Sequence, residues 1–196
     1  MAVTYSESLV SNPAGAQGAY PQTLTRGHEG MLGDLQAYVS RSYRNETGAV
    51  IPFGHAVLQN GSGTADASAK LPAGASATNI VGIALDSNTF EVNADAKTAD
   101  GRVGYPAAET LNVISKGVVY VYSKDAIAVG DAVRLYHTDG ASAASTGAYA
   151  GRFGKTAAAG KTFEVTAGAR WLSSCAAGGI ALLEIDLPGL AVTADT

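Results

Sequence analysis

Between residues 111 and 136 the chain reads LNVISKGVVYVYSKDAIAVGDAVRLY, the densest run of branched and aromatic residues in the sequence. From residue 111 to 122 the side chains divide with a period of two. Leu111, Val113, Val119 and Val121 fall on one face, and Ile114, Val118, Tyr120 and Tyr122 on the other. Both faces are apolar, so both need cover. Lys116-Gly117 interrupts the run, which makes it either one strand with a kink or bulge, or two strands meeting at a tight bend. Gly130-Asp131 supplies a turn before a second strand carrying Val133, Leu135 and Tyr136. Strand, turn and strand without helical spacing is the pattern of small all-β domains.

The remaining residues divide unevenly around this stretch. Residues 1–48 are poor in large apolar side chains and punctuated by Pro13, Gly15, Gly18, Pro21, Gly27, Gly30 and Gly33. Ordering backbone costs roughly 1 to 2 kcal/mol per residue, and this segment has little of its own to bury, so an extended N-terminal arm that lies on something else is expected. Within it, MLGDLQAYVS (residues 31–40) spaces Leu32, Leu35 and Val39 for a turn or two of helix, with a short strand as the competing form. Asn45-Glu46-Thr47 and Asn60-Gly61-Ser62 read as turns.

From residue 49 the character changes. Strands are expected around Val50 to Phe53, ending at or near Pro52, around Ala56 to Leu58, and at IVGIAL (residues 80–85), where Gly82 marks a close backbone approach. Phe90 and Val92, Phe163 to Val165, Ala169 to Leu172, and GIALLEIDL (residues 179–187) supply the rest. Residues 60–77, 95–106 and 137–151 have loop composition, the last an exposed loop or hairpin tip. About eight short strands close most naturally as a small β-barrel or β-sandwich over residues 49–190, followed by a short tail at 191–196.

Composition narrows the function. Charged residues are 15% of the 196, against about 25% in ordinary soluble domains, and the net charge is −4. No basic face is available for a phosphate backbone, so direct nucleic-acid binding is not expected. No apolar run approaches the roughly 20 residues of a membrane span. The start, MAVTYSESLV, lacks a basic region followed by an apolar stretch, so the chain is expected to stay in the compartment where it is made. The lone Cys175 can form no internal disulfide and reads as a small buried apolar residue.

Candidate chemistry is thin. His28, His55 and His137 sit in separate segments without metal-ligand spacing, and His28-Glu29 with Asp34 reads as a polar arm before it reads as a ligand set. Gly27, Gly30 and Gly33 follow no strand and precede no GK[ST], which argues against a phosphate loop. Glu184 and Asp186, two apart on one strand face, could pair for glycosidase work, but a solvated face is simpler. No GxSxG elbow occurs. No catalytic residue, cofactor or metal is expected.

The order of short motifs carries more weight than any one of them. GHEGMLGD (residues 27–34) is followed by IPFGHAV (51–57), VGIA (81–84) and GVVYVYSKDAIAVGDAVRLY from Gly117. That order resembles the structural cement, or head decoration, proteins of tailed bacteriophages; residues 137–169 follow no pattern of that family. The resemblance implies a protein of the virion, made in the host cytoplasm and bound to the outer face of the head. There it would clamp neighbouring subunits of the major capsid protein and self-associate as a dimer or trimer, without catalysis. Tyr20, Met31, Leu32, Leu35 and Tyr38 are the expected capsid contacts, large side chains in a segment too poor to fold alone; their alternative is packing against the chain's own barrel. A rival reading is a tail or fibre adhesion module binding host glycans, with Tyr136, His137 and Tyr149 as a stacking platform.

Overall fold

The computed structural model describes residues 27–35, 37–61, 67–74, 79–87, 94–98, 101–138 and 150–195, and among them the chain forms thirteen strands and no α-helix. In chain order these are β1 (Val39–Asn45), β2 (Ile51–Pro52), β3 (Ala56–Gln59), β4 (Ser68–Lys70), β5 (Ile80–Ala84), β6 (Gly104–Tyr105) and β7 (Thr110–Tyr122). Then follow β8 (Val133–Tyr136), β9 (Phe153–Gly154), β10 (Thr162–Ala167), β11 (Ala169–Trp171), β12 (Ile180–Asp186) and β13 (Ala191–Ala194). The fold is all-β. The strands beyond the expected eight or so include two-residue pieces, β6 and β9, too short to leave a periodic signal, whereas β2 falls where a strand stopping at Pro52 was expected.

Five strands close on themselves in the order β1-β4-β3-β5-β7, with β7 returning to β1, and β12 and β11 extend the sheet from β7. Closure satisfies backbone edges that an open sheet would leave for aggregation. A second sheet, β13-β10-β8-β9, and the β2-β6 pair complete the architecture.

The apolar run is one continuous strand with an irregularity at its middle. Val39 of β1 pairs with Lys116, but Ser40 pairs with Ile114, so β7 carries an extra residue there, and Gly117 adopts φ 135°. An inserted residue reverses which face later side chains take. Leu111 and Val113 accordingly join a core of Ile51, Phe53, Val57, Ala69, Ala84 and Tyr105. Ile114, Val119 and Val121 join the larger core, with Val133, Leu135, Phe153, Trp171, Leu183 and Ile185. The two-face division expected from strict alternation is therefore corrected: Ile114 shares its core with Val119 and Val121.

Two segments expected to lie outside the body contribute strands. Val39 to Arg44 pair with β7, and Arg44 and Asn45 with β4, so the barrel is closed by residues from the presumptive arm. Ala191 to Ala194 pair with β10, and Asp195 accepts hydrogen bonds from Thr162 Oγ1 and Arg134 Nε. The reason is the same at both ends. A strand needs only a free edge to pair with, which composition cannot reveal.

Candidate interaction surface

Residues 27–33 are held on the second half of β7 by backbone and by absent side chains. Gly30 N–H donates to Tyr120 O at 2.9 Å, Tyr120 N–H to Met31 O at 2.9 Å, and Gly33 N–H to Val118 O at 2.8 Å. Leu32 bridges Val119, which registers with Leu183 of β12 on its other edge. The three glycines make the approach possible. A Cβ on Gly27 would lie 2.5 Å from the Tyr120 ring, and one on Gly33 would lie 2.3 Å from Leu182 Cδ2. Gly30 has φ +80°, and a Cβ there would meet Phe53 Cβ and the Asp86 amide at 2.7 Å. The spacing that faintly suggested a phosphate loop is a docking device.

Side chains complete the attachment. His28 Nε2 lies 2.5 Å from Asp86 Oδ2, and Glu29 pairs with Arg102. The Arg102 guanidinium sits 4.3 Å from the Tyr122 ring centroid, and that of Arg152 sits 4.9 Å from the same centroid. Arg152 Nε–H donates to buried His55 Nε2 at 3.2 Å. His55 Nδ1 lies 3.0 Å from the Phe53 carbonyl, which can only accept, so Nδ1 carries the proton and Nε2 is the acceptor. Arm, ring and core are thus linked by one polar path.

Large apolar side chains stand exposed on the docked segment at Met31 and on the residues that follow it. Leu35 is 88% exposed, Tyr38 47%, Val39 45% and Met31 38%. Leu32 is half-buried and packs on the larger core. Tyr20 lies outside the described residues. Val39, read in the sequence only for its helical spacing with Leu32 and Leu35, was not among the expected contacts, because its exposure depends on the strand it joins. The described residues among 31–38 form no helix: the Gly30 and Met31 carbonyls, which a helical turn starting there would use, accept instead from the amides of Asp86 and Tyr120.

A family described as structural cement protein (E217 gp24/Pam3 gp6) matches residues 16–186. The chain belongs to the phage structural cement protein family. Among solved structures, a chain from "The capsid of Myoviridae Phage XM1" is similar with a TM-score of 0.63 at 16% identity, covering 87% of this chain and 96% of that one. No curated protein matches. As a cement protein, the chain is a structural component of the phage capsid.

The other candidate residues of this cement protein are occupied structurally. Glu184 pairs with Arg170, and Asp186 with Lys116 at 3.1 Å, across strands rather than with one another. Among the described residues no three His, Cys, Asp or Glu gather as a metal site. The stacking platform is corrected: Tyr136 and His137 are buried, with the His137 ring 4.3 Å from Phe163, while Tyr149 lies outside the described residues. The segment starting at His137 is thus not exposed at its start, and Ala150 and Gly151 at its end are buried too. Cys175 is half-buried where it bridges Ile127, and burial pushes its thiol up, outweighing the hydrogen bond with the Ile127 backbone.

Proposed function

We propose that this cement protein binds the outer face of the phage head and clamps neighbouring subunits of the major capsid protein, as a dimer or trimer, without catalysing a reaction. The observation that carries this is the exposed apolar set Met31, Leu35, Tyr38 and Val39 on a segment pinned to the barrel. Large apolar side chains left in water gain by burial against a partner. The barrel that β1 closes is the body to which this segment is attached, and the residues ahead of Gly27, Tyr20 among them, add further contact. Each contact gains by repetition, because a lattice presents several subunits to one oligomer. A stable seat requires more than about 1,000 Å² in total. Cryo-microscopy of the purified virion tests the proposal: density for this fold on the outer shell, bridging two capsid subunits through residues 31–39, is expected. Density confined to the tail or to the inner face of the shell would refute it.

A further inference from the structure

We infer that the open edge of β1 is a strand-addition site for an extended, carboxylate-bearing segment of a capsid subunit. This rests on the cement reading and names the chemistry of its contact. β4 pairs with β1 only at Arg44 and Asn45, whereas β7 pairs with it from Val39 to Arg44. Among the described residues, the edge of Val39 to Tyr43 opposite β7 has no strand beside it.

Hydrogen bonds at the end of β1 show which groups face that edge. Asn45 N–H donates to Glu109 O and Asn45 O accepts from Ala108 N–H, on the β7 side, while Arg44 N–H donates to Ala67 O on the β4 side. Successive residues of a strand alternate in this respect, so the N–H and C=O of Ser40 and Ser42 point to the open edge. Val39, Ser40, Arg41 and Ser42 are also exposed on both faces. Edge strands are normally blunted by proline, charged side chains or a covering loop. The sequence VSRSY has no proline, and its one charge is Arg41.

Charge selects the occupant. Residues 38–44, YVSRSYR, carry Arg41 and Arg44 and no acid, in a chain of net charge −4. Neither arginine makes an ion pair among the described residues. Antiparallel pairing with β1 of a second copy would bring four arginines onto one short ribbon, and like charges across strands repel. A carboxylate on a strand from a different chain pairs Arg41 within the open edge, with Arg44 beside the end of that edge where β4 begins, and Leu35, Tyr38 and Val39 offer it an apolar seat at the other end.

Amide hydrogen exchange on the full chain, free and bound to heads prepared without it, tests the inference. Ser40 and Ser42 amides are expected to exchange fast in the free protein and to slow at least about tenfold on heads. Ser42→Pro, which removes an edge-facing N–H, and the Arg41→Glu/Arg44→Glu pair are each expected to weaken head binding about tenfold or more at unchanged melting temperature. Fast Ser40 and Ser42 exchange in protein demonstrably on heads overturns the inference and leaves the cement reading standing. Protection that grows with concentration in the free protein assigns the edge to a second copy and also overturns it. Failure to bind heads at all overturns the cement reading itself.

Discussion

Glu29 and Arg102, 73 residues apart in the chain, form an ion pair whose side chains are each only 19% exposed. The same guanidinium covers Tyr122, so one arginine ties the arm to the strand that organises both cores. Breaking the pair leaves a largely desolvated charge. A double-mutant cycle with Glu29→Gln and Arg102→Ala is expected to return a coupling of about 1 to 2 kcal/mol in denaturant unfolding. Arg102→Lys should not restore stability, because an ammonium cannot both pair and lie flat on the ring.

Gly33 has no room for a side chain beside Leu182 and Val118. Gly33→Val is expected to cost about 1 to 3 kcal/mol by forcing residues 27–33 off β7. Hydrogen exchange reads it directly. The Tyr120 amide, which donates to Met31 O, should lose protection while the β12 ladder keeps its own.

Stability should fall on acidification in two stages. His137 is buried, its Nε2 has no hydrogen-bond partner among the described residues, and burial holds its imidazole below the ordinary 6.5, against a smaller opposite pull from Asp195. The unfolded chain therefore takes up a proton that the folded chain refuses. This contribution is complete above about pH 6.5 and is lost as pH falls toward the folded value. For Asp125, burial raises the carboxyl, but amides of Thr156 and Lys155, donating at 2.9 and 2.8 Å, together with the Lys124 charge, carry it below 3.8. Asp131 is lowered too, by the Ala128 amide first and then Lys155. Their share is present above the unfolded value of about 4 and is lost below it. Melting temperature against pH should show both stages, and His137→Phe should remove the upper one alone.

Leu35 is 88% exposed, so replacing it with serine should move stability by no more than about 0.5 kcal/mol, and Met31 and Tyr38, 38% and 47% exposed, are replaced alongside it. The triple variant should bind heads about tenfold or more weakly. Leu32→Ala is the contrast. It thins the chain's own core and should cost about 1 to 2 kcal/mol, measured by the same unfolding assay.

The strand character of residues 111–122 was readable because branched and aromatic residues there outnumber everything else. So was Gly82, where an added Cβ would lie 2.1 Å from Ile114 O. The Asn45 turn was legible as a turn, but not its role: the Asn45 amide nitrogen donates to carbonyls of Ala49, Tyr105 and Pro106, joining segments 60 residues apart. Val39 and the open edge left no trace in composition, since exposure depends on which neighbours fail to arrive.

Alternation and turn chemistry are local, acting over two to four residues, and from them the chain by itself determined an all-β body, its main strands and the motif order of a capsid protein. Closure of the barrel by β1, the reversal of faces at Lys116-Gly117, and the docking of Gly27, Gly30 and Gly33 depend on distances between residues far apart in the chain. Only the tertiary structure could decide those, because a free strand edge or a missing Cβ acquires meaning when a particular neighbour is brought against it.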